Sequence, residues 1–314
     1  MAVIGYDLVC TSPLPARRVN GQIEFLGSHA NGRFFNNKTA TLQIPCGQCT
    51  ECRLKRSREW AIRCTHEATL HRDNCFITLT YKQSPISLNY SDFQAFMKRL
   101  RSHWKTDKIR FYVGGEYGET NPKTGCKDGG IYRPHFHAIL FGFNFPDRVP
   151  VRLLNAEGLE HSANLDKLWR HGFCTIGKVS FESASYIARY CMQKRTGQQA
   201  DTHYMYTDPD TGEIIMRTPE FNRMSLKPGI GKNWIRKFQD DVYPFDGVIS
   251  RGVETKPPRY YDKHVDETSP DLLKTVKDRR ESDGITRKPD HTDRRNSDRN
   301  HVVKARSKTL IRSL

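Results

Sequence analysis

The 314-residue sequence predicts an α+β fold, a mainly antiparallel sheet with helices packed on it. Three observations lead there. Short runs rich in β-branched and aromatic residues recur at 75–81, 109–117, 132–142 and 172–180. The connections at 121–131 and 208–212 are turn-rich, the pattern of hairpins. Stretches with helical apolar spacing lie between the runs.

In chain order, residues 50–71 read as a helix, because Leu54, Arg58, Ala61 and Ile62 keep helical spacing and no Gly or Pro interrupts them. Cys75 to Tyr81 reads as a buried strand. Ser91 and Asp92 cap a helix to about Trp104, with Phe93, Phe96, Met97 and Leu100 on one face. The runs at 109–117 and 132–142 flank Asn-Pro-Lys-Thr-Gly-Cys-Lys-Asp-Gly-Gly-Ile and form an antiparallel hairpin. A looser stretch to about residue 162 precedes a short helix at 163–170, a strand at 172–180 and a helix from Glu182 to Lys194. A second hairpin runs through 203–217 and turns at Asp208–Gly212. Lys227-Pro-Gly-Ile-Gly-Lys232 is only superficially a phosphate loop. Leu226 holds the first Gly position and Asn233 follows the Lys, so it reads as a turn into a helix near Asn233, and ATP binding is not supported.

The chain carries 51 Lys+Arg against 35 Asp+Glu, a formal charge of +16. Residues 251–314 hold 17 basic and 11 acidic side chains, so +6 lies there and +10 on the rest. That stretch has few aromatics and no sustained apolar pattern, and is expected to be a disordered basic tail that folds only on binding. The expected organisation is a Cys-rich segment and helix over 1–72, a catalytic domain over 73–250 and the tail over 251–314. The excess charge points to a polyanionic partner. The longest apolar run, His137–Phe145, is too short to cross a bilayer, so an integral membrane protein is excluded. The N-terminus lacks a secretory pattern, and nine cysteines without a scaffold spacing indicate a reducing compartment.

Three groups of residues can carry chemistry. His135 and His137 project from one face of a strand and can hold one divalent ion, although strand histidines satisfied by hydrogen bonds are the plain alternative. With a turn centred near Cys126, Glu116 lies roughly opposite residue 136 and can add a third ligand; Glu119 is a weaker candidate close to the turn. Such a set suits Mg²⁺, Mn²⁺ or a transition metal. Tyr186, Tyr190 and Lys194 share one helical face at i, i+4 and i+8, where packing tyrosines beside a snorkelling Lys is the ordinary reading. Cys46, Cys49 and Cys52 have metal-ligand spacing, with Cys10 the candidate fourth ligand of a structural Zn²⁺ and Cys64 and His66 further along the helix. Reduced cysteines without metal are the alternative.

Four collinear pieces then acquire a meaning: Phe76–Tyr81, Gly115–Gly118, Arg133–Gly142 and Tyr186–Tyr190. With Pro45–Arg53 and Trp60–Cys64 upstream, the chain resembles, over roughly residues 10–240, the HUH endonucleases that start rolling-circle replication, in particular the initiation proteins of gokushovirus-type microviruses. The resemblance implies the HUH endonuclease fold for 73–250 and a metal-dependent nickase with strand-transfer activity. By position, His135, His137 and Glu116 would hold Mg²⁺ or Mn²⁺, and Tyr186 and Tyr190 would be nucleophiles forming a 5′-phosphotyrosyl bond and a free 3′-OH. Lys194 departs from the family pattern, in which a Lys follows the second Tyr by three residues; Gln193 stands there. The implied partners are single-stranded DNA, its origin, and a host helicase and polymerase, in the host bacterial cytoplasm. Two other classes stay open. A non-catalytic protein binding or packaging single-stranded DNA would account for the charge but not for Glu116, His135 and His137. A cupin-like metal oxygenase would need an all-β barrel.

Overall fold

In the computed structural model, residues 10–26, 42–106, 108–118, 132–151, 158–190, 194, 198–287 and 292–308 are described. The expected turn near Cys126, Glu119 and Gln193 lie outside them. The chain divides into two compact units, one of residues 58–241 and 258–264, the other of 1–57, 242–257 and 265–314. The first break falls inside a helix rather than near residue 72.

The second unit opens with β1 (Leu14–Val19), β2 (Gln22–Phe25) and β3 (Leu42–Ile44), an antiparallel sheet in the order β2-β1-β3. Helix α1 (Thr50–Ala68) follows, as expected from its spacing. The first unit is then built from β4 (Asn74–Thr80), α2 (Tyr90–His103), β5 (Arg110–Tyr117), β6 (Pro134–Phe141), β7 (Val149–Pro150), β8 (Glu160–His161), α3 (Ala163–Trp169), β9 (Cys174–Gly177) and α4 (Phe181–Tyr190). Helix α5 (Gln198–Tyr204), the hairpin β10 (Met205–Thr207) and β11 (Ile214–Met216), β12 (Phe221–Met224) and α6 (Lys232–Val242) complete it.

Seven strands form one sheet in the order β12-β5-β6-β4-β9-β8-β7, every pair antiparallel. Helices cover both faces, which is why the central strands read as nearly unbroken apolar runs. On one face Ile77, Leu79, Phe136, Ala138 and Leu140 pack with Phe93, Phe96, Met97 and Leu100 of α2 and with Trp169 of α3. The Trp169 indole N–H closes that side by donating to the Thr80 carbonyl at 2.7 Å. On the other face Phe76, Tyr112, Ile139 and Phe141 pack with Ala61 and Cys64 of α1 and with Ala184, Ile187 and Ala188 of α4. Helices on an open sheet remove the all-β barrel.

Several local expectations shift. The cap of α2 is Asn89, whose side chain accepts from the Ser91 N–H at 3.2 Å; Asp92 lies in the first turn. Helix α4 ends at Tyr190 and leaves Lys194 outside it, exposed. The turn at 227–232 does lead into α6, and the Gly231 N–H donates to Glu67 at 2.8 Å, so a carboxylate already holds an amide that a phosphate would need. After β13 (Val248–Ser250) and β14 (Val253–Thr255), the stretch expected to be a disordered tail carries α7 (Arg259–Thr268), α8 (Pro270–Arg287) and α9 (Asp293–Lys308). Mixed Lys, Arg, Glu and Asp favour a helix, and the sparse apolar residues Tyr261, Val265, Leu273 and Val276 are buried. Among the described residues no helix is long and apolar enough to cross a membrane.

Candidate active site

The β5–β6 register brings the first cluster together. Glu116 pairs with His135 and Gly114 with His137, one residue away from the pairing expected with residue 136. The difference decides the chemistry. Directly paired residues of antiparallel strands share a face, so opposite Phe136 the carboxylate would point away from the histidines. In the observed register all three point to the face covered by α1 and α4.

Glu116 Oε1 lies 2.6 Å from His135 Nε2 and 2.8 Å from His137 Nε2. The candidate ligand atoms of the three residues all lie within 4.8 Å of one another. Each imidazole is held at its other nitrogen. His135 Nδ1 donates to the Arg133 carbonyl at 3.1 Å, and His137 Nδ1 meets the Thr78 hydroxyl at 2.9 Å. A ring that gives its Nδ1–H to a carbonyl presents a bare Nε2, the arrangement seen around metal-ligating histidines. Glu116 is only 2% exposed, and its Oε2 is buried without a hydrogen-bond partner. An unmet buried carboxylate oxygen is costly, and a cation beside it removes the cost. Two nitrogens and a carboxylate oxygen therefore fit a divalent ion of the Mg²⁺, Mn²⁺ or first-row transition class.

The electrostatics follow from burial and proximity. Burial raises the Glu116 carboxyl, but the two imidazoles outweigh it and hold the group below its usual range. Burial depresses His135, yet the hydrogen bond and charge of Glu116 overcome it and raise it above an ordinary imidazole. For the more enclosed His137 burial wins, and its value is lowered.

Helix α4 brings Tyr186 to this cluster. Its ring packs edge-on against His137 with centroids 4.9 Å apart, and Phe76 stacks on the same imidazole at 5.6 Å. The helix can approach because β5 carries Gly114 there: a Cβ at that position would stand 3.0 Å from Ile187 Cγ2. Tyr190 is the last residue of α4; its side chain lies outside the described residues. Lys194 is not on the helix, so the expected i+8 position on a shared face does not form. Thr78 and Gly114 are contributors that sequence reading misses.

The cysteines form a second cluster in the other unit. The sulfurs of Cys10, Cys46, Cys49 and Cys52 lie within 4.8 Å of one another. Burial raises the Cys10 and Cys52 thiols, whereas backbone N–H groups of Cys49 and Gln48 outweigh burial at Cys46 and lower it to about 7.

An antiparallel sheet with a His-x-His pair and a carboxylate on adjacent central strands, and a tyrosine-bearing helix against them, has the arrangement of the HUH endonuclease fold. Residues 74–195 match the family model for the replication-associated protein ORF2. The chain is 31% identical over 239 residues to Replication-associated protein VP4 of Bdellovibrio phage phiMH2K, covering 72% of this chain and 68% of that protein. It is 27% identical over 298 residues to Replication-associated protein ORF2 of Spiroplasma virus 4, covering 87% and 86%. To Replication-associated protein ORF4 of Chlamydia phage 1 it is 28% identical over 184 residues, covering 55% and 44%. No solved structure matches the chain. The chain belongs to the phage replication-associated protein family.

Proposed function

We propose that this chain is a replication initiator that nicks and rejoins single-stranded phage DNA at its origin, through a tyrosine nucleophile assisted by a divalent ion. The observation that carries the reading is the convergence of Glu116, His135 and His137 on one sheet face with the ring of Tyr186 packed against His137. Glu116, His135 and His137 would hold Mg²⁺ or Mn²⁺, which polarises a phosphate oxygen and offsets charge developing on the phosphorus.

The chain's own residues account for the rest. Thr78 and the Arg133 carbonyl fix the imidazoles, so the ligand set needs little rearrangement. A tyrosine oxygen attacks phosphorus and the bond from phosphorus to the 3′ oxygen breaks. The tyrosyl proton passes to solvent, and the departing 3′ oxygen takes a proton to become the 3′-OH that primes synthesis. The phosphate stays on the tyrosine as a 5′-phosphotyrosyl ester, conserving the energy for rejoining. Tyr186 and Tyr190, one helical turn apart, would let cleavage and closure alternate between two nucleophiles. Lys194, exposed beyond the helix, would serve at most as a contact to DNA phosphate. The origin, a host helicase and polymerase, and the host bacterial cytoplasm complete the proposal.

The test is incubation of full-length protein with labelled origin oligonucleotides and Mn²⁺, followed by denaturing electrophoresis. The expected result is a denaturant-stable adduct that EDTA abolishes and that the double variant Tyr186→Phe, Tyr190→Phe does not form. Binding without strand scission, unchanged by EDTA, would favour the non-catalytic packaging reading instead.

A further inference from the structure

Of the seven described cysteines, Cys64, Cys75 and Cys174 are buried in the packed interior. The other four are half-buried and converge, although they come from chain segments 36 residues apart. We propose that Cys10, Cys46, Cys49 and Cys52 form a tetrathiolate site for structural Zn²⁺, which ties the β1–β3 sheet to the start of α1. This inference is independent of the nicking reading.

Geometry supports it first. Four sulfurs about 2.3 Å from one centre lie about 3.8 Å apart, and Cys49 Sγ stands 3.8 Å from Cys10 Sγ. Backbone N–H groups point at the sulfurs: Cys46 N–H donates to Cys10 Sγ at 3.2 Å, and Gln48 and Cys49 N–H donate to Cys46 Sγ at 3.4 and 3.3 Å. Amides aimed at sulfur favour the thiolate that a metal requires. Gly47 supplies the turn between the first two cysteines, with φ +72°, a conformation a side chain rarely adopts. Cys49 precedes α1 directly and Cys52 lies in its first turn, where the positive end of the helix dipole favours anionic sulfur.

The sheet itself supplies the second argument. The pairing of Leu14 with Ile44 runs β1 and β3 together so that Cys10, four residues before, meets Cys46, two residues after. Yet of the residues in these three strands only Ala16 is buried, and every residue of β2 is exposed. Three short strands without an apolar face do not support themselves in water. A metal that closes both open ends of the β1–β3 pair onto the helix provides what the core does not. The Thr11 hydroxyl, donating to Glu51 at 3.2 Å, reinforces the same junction. All-sulfur donors select a soft tetrahedral ion, whereas the nitrogen–oxygen set at Glu116 suits a harder one, so the two sites divide two metals between them. Binding requires no redox change: the four thiol protons leave to solvent as the four Zn–S bonds form.

The test uses full-length protein purified without chelator in reducing buffer, with metal content by mass spectrometry and hydrogen exchange by peptide. One zinc per chain is expected, retained in Cys174→Ala, and Cys10→Ser should weaken zinc more than about 100-fold, since even outer-shell partners are worth about 10–100-fold. Chelation should release exchange protection over 14–26 and 42–52 while β4 to β6 stay protected. Should Cys10→Ser fail to accumulate, Co²⁺ titration of the metal-stripped wild type provides a second reading, a visible tetrahedral band with thiolate charge transfer. Substoichiometric zinc after reconstitution, no thiolate–cobalt spectrum, or disulfides recovered among the four cysteines would each overturn the proposal, whatever the outcome for nicking.

Discussion

At the scale of single residues, the proposed metal competes with a proton. Glu116 raises His135 above the ordinary imidazole value, so in the metal-free protein this ring is charged below that raised value. A ligand must be neutral, and burial already keeps His137 so. Mn²⁺ affinity should therefore fall by about tenfold per pH unit as pH drops below the His135 value, one proton being exchanged per ion, and level off above it. Calorimetric titration across pH checks this; affinity independent of pH would mean that His135 is not a ligand. Glu116→Gln should both weaken binding and move the bend to lower pH, because the group that raises His135 is gone. Much of this site was legible, since His135 and His137 are two residues apart and strand geometry alone puts them on one face. Cys10 was reachable for the opposite reason, as a distant partner for the fourth position that a local three-cysteine spacing leaves open. Thr78 was not legible: it reaches His137 only through the pairing of β4 with β6, across 59 residues of sequence.

Among the elements, the approach of α4 to β5 is the packing that the proposed chemistry rests on. Gly114→Val would drive two methyl groups toward Ile187, where even a bare Cβ stands 3.0 Å from Cγ2. Overpacking of this kind costs about 1–3 kcal/mol, so the urea midpoint should fall and the adduct yield with it. Gly118→Ala is the contrast: its nearest neighbour would stand at 3.6 Å, ordinary van der Waals distance, and stability should hardly change. Equal effects of the two substitutions would mean that the close approach is not the reason for glycine at 114. Element types along 50–190 could be read because apolar period separates strand from helix there. Registers and ends were harder. A turn-rich connection fixes the β5–β6 pairing only to within a residue, and one residue moves Glu116 to the other face. The edge strand β12 escaped notice because Phe-Asn-Arg-Met alternates weakly and its partner β5 lies about 110 residues earlier in the chain.

For the whole molecule, charge and fold separate. Helix α9 carries six Lys/Arg and two Asp, a local +4, on a surface with little apolar content. On the proposed reading it adds affinity for DNA without chemistry. Deleting 292–314 should weaken binding and flatten its salt dependence, by about 0.7 in log–log slope for each single-strand phosphate that is no longer neutralised. Adduct formation at saturating DNA should survive; its disappearance would mean that α9 belongs to the catalytic machinery. The helices of this region were missed because their charged residues mimic a disordered composition, while the few apolar positions that organise α7 and α8 are too sparse to form a pattern. The central claim is that a tyrosine of α4 is the nucleophile, and it can be read from one measurement: protease digestion of the trapped protein–oligonucleotide adduct and mass spectrometry of the peptides. The expected result is a nucleotide mass on the peptide containing Tyr186 and Tyr190, with fragmentation assigning it to one of the two. A nucleotide on any other residue, or cleavage that leaves no covalent peptide at all, would contradict the account.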